Sequence, residues 1–203
     1  MAENKKTETQ PIEWTKAMDL LYKMKKEPIE QNTRLMLACG FFFGLRINRI
    51  LSLTWEQIMQ ESFEIIEKKT GKKRTISLDP KFKEIRDEVI ESSRSKGKGL
   101  LFTYNRAGAD QTKPISVVAA NKRIKKTFEK YKIKCKNPSS HTLRKTFGMR
   151  VYQIHNECEH ALILLSQIFN HRDTAVTRRY IGITQKVIQN AYLSLSSGDP
   201  LYK

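Results

Sequence analysis

The chain has 203 residues, of which 39% are apolar, and this is enough to form the core of one ordinary domain. Its longest apolar run, residues 35–45, is about half as long as the roughly 20 residues that span a bilayer. Its first residues lack the apolar segment of a secretory signal, so the cytoplasm is the expected location. The 38 Lys and Arg residues outnumber the 21 Asp and Glu residues, and the resulting net charge of +17 favours an acidic partner such as nucleic acid.

Hydrophobic periodicity predicts a mainly helical α+β chain with a small antiparallel sheet of three strands. Residues 1–12 are polar and are expected to form a disordered leader, followed by one domain over residues 13–203. Residues 62–67 and 74–78 are rich in β-forming side chains and predict a hairpin, and residues 100–104 predict the third strand. Helices are predicted over residues 14–26, 31–43, 47–53, 80–93, 116–131, from 141 onward, 159–169, 173–180 and, as a C-terminal tail, 185–195.

The helix predicted after residue 116 has apolar side chains on one face and basic side chains over the remainder. Residues 121–150 hold eleven Lys and Arg residues but one acid, Glu129, whereas a solvated helix face normally mixes charges of both signs. This run predicts a nucleic-acid-binding surface, with a solvated face as the alternative. The predicted DNA-contacting residues are Lys72, Lys73, Lys122, Arg123, Lys125, Lys126, Lys145 and Arg172.

The sequence also holds the groups that would cut DNA without a metal. Its three cysteines are far apart and predict free thiols, and no spacing predicts a metal site or a cofactor. Metal-free cleavage needs a nucleophile, fixed cations around the phosphate and an acid for the departing 5′ oxygen. Arginine suits the cation role, histidine and lysine suit proton transfer, and a tyrosine can attack when cations or a base lie nearby. Such groups occur in the order Arg46, Lys69, His141, Arg144, His171 and Tyr180.

Three segments around these residues resemble the motifs of the tyrosine recombinases, also called the phage integrase family. GLRINRILSLTW, which contains Arg46, resembles the first arginine motif of the family, GLRxxE followed by leucines. SSHTLRKTFG, which contains His141 and Arg144, resembles HxLRHTF. LLSQIFNHRDTAVTRRYIGI resembles LGHxxxxxTxxY and places Tyr180 nine residues after His171. The resemblance extends over about residues 14–195 and implies the catalytic-domain fold of that family.

The resemblance implies site-specific DNA recombination, as integration, excision or inversion. In this reaction Tyr180 would attack a DNA phosphate and form a 3′-phosphotyrosine bond, without metal or ATP. Arg46 and Arg144 would bind the non-bridging oxygens of that phosphate, and His171 would donate a hydrogen bond to it. His141 would assist proton transfer or phosphate binding.

Two positions in this chain need separate comment. Lys69 stands where the family has a β-hairpin lysine that protonates the 5′ oxygen, and a slipped hairpin register leaves Lys68, Lys72 and Lys73 as alternatives. Arg49 stands where the family usually has an acid, three residues after the first arginine. This exchange leaves open how Arg46 is supported and whether the chain is a DNA-binding module without turnover.

The partners that the resemblance implies are double-stranded DNA and further copies of the chain, in a homotetramer on two paired DNA sites, together with accessory directionality or DNA-bending proteins. No membrane partner is predicted. The tail helix predicted over residues 185–195 has an apolar stripe, which packs either on its own domain or on a neighbouring subunit. Only 45 residues precede Arg46, which indicates either a catalytic fragment or a naturally short enzyme. A type IB topoisomerase-like relaxing enzyme would use the same chemistry.

Overall fold

The computed structural model of the chain describes residues 9–66, 71, 73–92, 98–104, 108, 110–183 and 192. Lys69, Lys72 and the tail helix predicted over residues 185–195 lie outside these residues, apart from the single position 192. The chain forms two compact units, residues 1–147 and 148–203. Within the described ranges, no helix is both long enough and apolar enough to cross a membrane.

The described part of the chain is mainly helical with a small antiparallel sheet, which confirms the predicted fold class. The predicted helices over residues 31–43 and 159–169 have those same bounds, and the other predicted helices within the described ranges are present with ends that differ by one or two residues. In chain order, the elements are α1 (Trp14–Met24), a 3-10 turn (Pro28–Glu30), α2 (Gln31–Phe43), α3 (Ile47–Leu51), α4 (Trp55–Ile58), β1 (Ser62–Ile66), β2 (Lys73–Ser77), α5 (Pro80–Ser92), α6 (Val117–Lys130), α7 (Ser140–Ile154), α8 (Glu159–Phe169) and α9 (Thr174–Ile181).

Helix α2 lies in the core of the first unit because apolar side chains cover almost its whole circumference. It ends at Gly44, whose φ of 58° is a conformation that glycine adopts without steric cost. A Cβ atom on Gly40 would lie 2.5 Å from Cδ1 of Leu143, so the absence of a side chain lets α2 approach the first turns of α7 closely. The end of α2 and the start of α7 are therefore neighbours.

Among the described residues the sheet has two strands, so the predicted third strand over residues 100–104 is wrong. Strands β1 and β2 are antiparallel, with Glu64 opposite Thr75. Leu100 forms an isolated bridge with Thr54 instead. The backbone at the start of this segment pairs with the chain just before α4, because the backbone groups there lie beside it and can satisfy its hydrogen bonds. In the described part of the sheet, it does not lie beside an edge of the hairpin.

The last residues of the predicted leader, residues 9–12, pack against α7 and are called the N-terminal strap here. The ammonium of Lys145 donates to the carbonyl oxygen of Thr9 at 2.7 Å, and the hydroxyls of Thr9 and Thr142 lie 2.5 Å apart. The backbone amide of Ile12 donates to Oγ1 of Thr146 at 3.0 Å. Thr9 and Ile12 are buried, so these residues of the predicted leader pack on the first unit. Residues 1–8 of the predicted leader lie outside the described residues.

The second unit consists of the end of α7 together with α8 and α9. Gly148 in α7 faces two fully buried side chains, because a Cβ atom there would lie 2.7 Å from Cγ2 of Ile181 and 3.0 Å from Cε2 of Phe169. Asn170 ends α8 in the left-handed conformation, and the Asp173 carboxylate caps α9 by accepting a backbone hydrogen bond of 2.8 Å. These two caps fix the short loop between α8 and α9.

Candidate active site

Arg46, His141 and Arg144 lie close together in the first unit. Arg46 is exposed at the N-cap position of α3, and the other two occupy the first turns of α7. Arg144 is only 4% exposed, and its Nη1 donates a hydrogen bond to the carbonyl oxygen of Gly44. Because Gly44 comes two residues before Arg46, this bond ties the two arginine segments to each other.

The imidazole of His141 stands in a positively charged environment. Partial burial lowers the pKa of His141, and the charges of Arg144, Lys145 and Arg46 lower the pKa further, although much of the side chain still reaches solvent. The ring is therefore neutral at pH 7 and can accept a proton. The same three cations make the surroundings of this imidazole electrically positive.

Arg49, the residue at the position of the family acid, contacts the hairpin. Its Nη2 donates a hydrogen bond to the carbonyl oxygen of Ile66, the last residue of β1. Lys69 follows Ile66 by three positions in the sequence and lies outside the described residues. The guanidinium thus attaches α3 to the end of the strand that leads to the predicted catalytic lysine.

The second unit brings His171 and Tyr180 together. The two ring centroids lie 5.2 Å apart at an interplanar angle of 74°, which is an edge-to-face contact. Phe169 completes the aromatic group, with its ring centroid 5.3 Å from that of His171 and 5.5 Å from that of Tyr180. The backbone amide of His171 donates to the carbonyl oxygen of Ser166 at 2.9 Å, so both the backbone and the ring of this histidine are fixed.

The predicted DNA-contacting residues lie in different environments. Lys122, Lys125 and Lys126 are exposed along α6, and Arg123 beside them is half-buried. By contrast, Lys145 is buried against the N-terminal strap, and its predicted DNA contact stays a prediction.

The remaining members of this set take part in local ion pairs or lie outside the described residues. Lys73 is exposed and its Nζ lies 3.6 Å from a carboxylate oxygen of Glu64 on the neighbouring strand. Arg172 is exposed and pairs with Asp173 at 3.1 Å. Lys72 is outside the described part of the chain. All three remain predicted DNA contacts.

Two polar residues beside the site were not predicted from the sequence. Oδ1 of Asn121 on α6 accepts a hydrogen bond of 2.9 Å from the backbone amide of Ser140, the first residue of α7. The hydroxyl of Thr177 lies 3.0 Å from Nδ1 of His171. The threonine of the LGHxxxxxTxxY pattern is a signal that points to Thr177, whereas no signal in the sequence pairs Asn121 with Ser140.

Comparison with known proteins identifies the family of this chain. The model of the phage integrase family matches residues 12–186, which include every predicted catalytic position. The chain belongs to the phage integrase family. Within that family it is similar to the probable integrase/recombinase YoeC of Bacillus subtilis (strain 168), with 28% identity over 187 residues that make up 90% of this chain and 94% of YoeC.

Solved structures of recombinases share the fold at low sequence identity. The XerH site-specific recombinase, in a post-cleavage complex with a palindromic difH substrate, matches with a TM-score of 0.67 and 18% identity over 93% of this chain. The integrase of transposon Tn1549, in complex with transposon right-end DNA, matches with a TM-score of 0.66 and 15% identity over 88% of this chain. The chain spans 53% of the XerH chain and 63% of the Tn1549 chain, but 99% of the catalytic domain of bacteriophage HP1 integrase, with a TM-score of 0.52 and 18% identity.

Proposed function

We propose that this protein is a site-specific DNA recombinase that cuts and rejoins DNA strands through a covalent bond between Tyr180 and a 3′ phosphate. The pairing of Tyr180 with His171 at 5.2 Å, in a chain whose family membership is established, is the observation that carries this proposal. The cationic cluster of Arg46, His141 and Arg144 supports it further.

The cleavage step balances with groups of this chain alone. Oη of Tyr180 forms a bond to phosphorus, the bond from phosphorus to the 5′ oxygen breaks, and Lys69 gives that oxygen a proton. The phenol proton passes to a base, and His141 is a candidate because its ring is neutral at pH 7. The guanidinium groups of Arg46 and Arg144 offset the charge on the phosphate in the transition state, and His171 donates a hydrogen bond to it. The bond energy is kept in the phosphotyrosine, so a 5′ hydroxyl from another strand reverses the step without ATP.

The DNA-binding surface in this proposal includes the exposed lysines of α6. Lys122, Lys125 and Lys126 point into solvent on one helix with no acid between them, and such a face attracts a phosphate backbone independently of its sequence. The proposed assembly is a homotetramer on two paired DNA sites, with the segment 185–195 docking on a neighbouring subunit. Deleting residues 185–203 is expected to leave a folded protein that binds one duplex but forms no paired-site complex in a gel-shift assay.

The decisive experiment is covalent trapping on a nicked suicide duplex. The unmodified protein is expected to form an adduct that resists denaturation, and Tyr180→Phe should form none while binding the duplex with unchanged affinity. Tyr192→Phe is the matched control, because it removes the same hydroxyl from an exposed tyrosine and should leave the adduct intact. An adduct in Tyr180→Phe would assign the nucleophile to another residue, and absence of any adduct would favour the DNA-binding module.

Two further assays separate the remaining mechanisms. Adduct formation should persist in EDTA, because arginine and lysine supply the positive charge; loss of the adduct that magnesium reverses would contradict metal independence. Joining of two separate sites distinguishes a recombinase from a relaxing enzyme, which would remove supercoils from one duplex only. Lys69→Ala should slow cleavage, and a 5′-bridging sulfur in the substrate should restore it, since a thiolate leaves without a proton. Rescue of Lys72→Ala instead would move that role to Lys72.

A further inference from the structure

The hydroxyl of Thr177 lies between two polar groups of the second unit. Thr177 is fully buried in α9, one helical turn before Tyr180. Its Oγ1 lies 3.0 Å from Nδ1 of His171 and 3.4 Å from the carbonyl oxygen of Asp173, four residues earlier in the chain. A buried hydroxyl is costly unless it is hydrogen-bonded, and these two groups satisfy it.

A hydroxyl carries one proton, so it can donate to only one of these two groups. The carbonyl oxygen of Asp173 can only accept, so the Thr177 hydroxyl donates its proton there, as helical threonines commonly do toward the residue four positions earlier. The hydroxyl oxygen is then left to accept from His171, which requires the proton of the neutral ring to be on Nδ1. Thr177 thereby selects one of the two imidazole tautomers.

The same contact also fixes the rotation of the ring. The tilted ring contact of His171 with Phe169 and its edge-to-face contact with Tyr180 hold the plane of the imidazole. The bond to Thr177 determines which edge of that plane turns toward α9. A 180° flip of the ring would replace Nδ1 by a carbon opposite the hydroxyl. Nε2 therefore belongs to the edge directed away from Thr177.

We propose that Thr177 is a positioning residue that holds the His171 ring with Nδ1–H toward its own hydroxyl and Nε2 as the nitrogen that meets the DNA phosphate. This inference rests on the proposed recombinase function and adds to it. Nε2 has no proton in the neutral form of this tautomer, so His171 donates to the phosphate as an imidazolium. Thr177 stabilises that form as well, because its hydroxyl accepts from Nδ1–H in both protonation states.

The first test compares two substitutions of Thr177 in the suicide-duplex assay. Thr177→Val keeps the shape of the side chain and removes the hydroxyl, and Thr177→Ser restores the hydroxyl. The valine variant is expected to form the Tyr180 adduct about 10-fold more slowly or worse, in line with the loss seen on removing the hydrogen-bond partner of a metal-binding histidine, and to bind DNA within about twofold of the unmodified protein. The serine variant is expected to recover most of the rate. Thr15→Val, the same change at an exposed position of α1, is the control and should cleave normally.

A double-mutant cycle shows whether Thr177 acts through His171. If it does, Thr177→Val should slow cleavage no further in a protein that already carries His171→Ala. Losses that simply multiply, or a valine variant that cleaves at the normal rate, would overturn the proposal. A thermal melt of each variant identifies any that fail to fold.

A second measurement does not depend on activity. In protein labelled with ¹⁵N at histidine, with His171→Gln used for assignment, the neutral ring of His171 is expected to show a protonated Nδ1, and this preference should disappear in Thr177→Val. A protonated Nε2 in the unmodified protein, or the same tautomer in both proteins, would refute the inference. If the unmodified protein forms no adduct at all, the recombinase proposal fails on its own, and the tautomer measurement still decides the role of Thr177.

Discussion

Gly148→Ala tests whether Tyr180 depends on close packing behind α9. The new Cβ atom would lie 2.7 Å from Cγ2 of Ile181, whereas carbon atoms prefer separations of about 3.5–4.0 Å, so Ile181 would have to retreat by roughly 1 Å. Phe169, whose Cε2 and Cζ lie 3.0 Å from the same point, cannot absorb the change freely because it is fully buried. Ile181 follows Tyr180 in the chain and Phe169 touches its ring, so both displacements reach the proposed nucleophile.

The expected effects of Gly148→Ala on stability and on catalysis differ in size. Overpacking costs about 1–3 kcal/mol, and replacing a helical glycine by alanine returns about 1 kcal/mol, so the free energy of unfolding should fall by only about 0–2 kcal/mol. A shift of 1 Å in a reacting group can cost about 100-fold in rate. We therefore expect the rate of adduct formation to fall by one to two orders of magnitude, on the order of that estimate, while the protein stays folded.

The assay is a time course of adduct formation on the suicide duplex, with urea unfolding of the same samples. Gly99→Ala is the control, because Gly99 has a φ of 75° and no atom lies within 4 Å of the place that its Cβ would take. An alanine there costs about 1–2 kcal/mol of backbone strain without displacing a neighbour, and cleavage should be unchanged. A Gly148→Ala protein that cleaves at the normal rate would refute the packing argument, and so would an equal loss of rate in Gly99→Ala.

Three further predictions concern residues of the first unit. The logarithm of DNA affinity should fall linearly with the logarithm of salt concentration in a fluorescence anisotropy titration. Replacing Lys122, Lys125 and Lys126 by Gln should make that slope less steep by about 2–3. An unchanged slope would show that α6 is not part of the DNA-binding surface. Lys145→Met should lower the free energy of unfolding by about 1–3 kcal/mol in urea, because it leaves a buried backbone carbonyl of the N-terminal strap without its donor, and unchanged stability would contradict this role. Because the pKa of His141 is lowered in the folded protein, the unfolded chain binds a proton at this residue first as the pH drops below 6.5. His141 should therefore lower the free energy of unfolding progressively from that pH down through its folded pKa. His141→Gln should therefore lose less stability than the unmodified protein between pH 7 and pH 5, and parallel losses would argue against the shift.

The sequence predicted the helices well because their signals are local. The buried pattern of α2 and its terminal Gly44 define that helix without reference to the remainder of the chain. The short helix α4 was not predicted, although Thr54 and Gln57 form a capping box whose threonine-to-glutamine spacing is readable from the sequence. The third strand was predicted wrongly because an apolar run such as residues 100–104 does not indicate which backbone it will pair with.

Residue identities in the candidate site could be predicted, but their environments could not. Motif spacing could select Arg144 and Tyr180 as candidates because those motifs lie within short segments, and the family model matches the range that contains them. Lys145 was grouped with the solvent-facing lysines because a basic run carries no information about which of its members the fold buries. The contact of Arg49 with Ile66 joins residues 17 positions apart, and only the folded hairpin brings them together.

The N-terminal strap has a practical consequence for work with this protein. Its carbonyl oxygen at Thr9 is held by Lys145, which directly follows Arg144 on α7. Thr9 therefore contacts a helix that carries two of the proposed phosphate-binding groups, His141 and Arg144. A change of sequence at that end alters residues next to this contact, so rates in the proposed cleavage assay should be compared only between proteins that begin with the same residues.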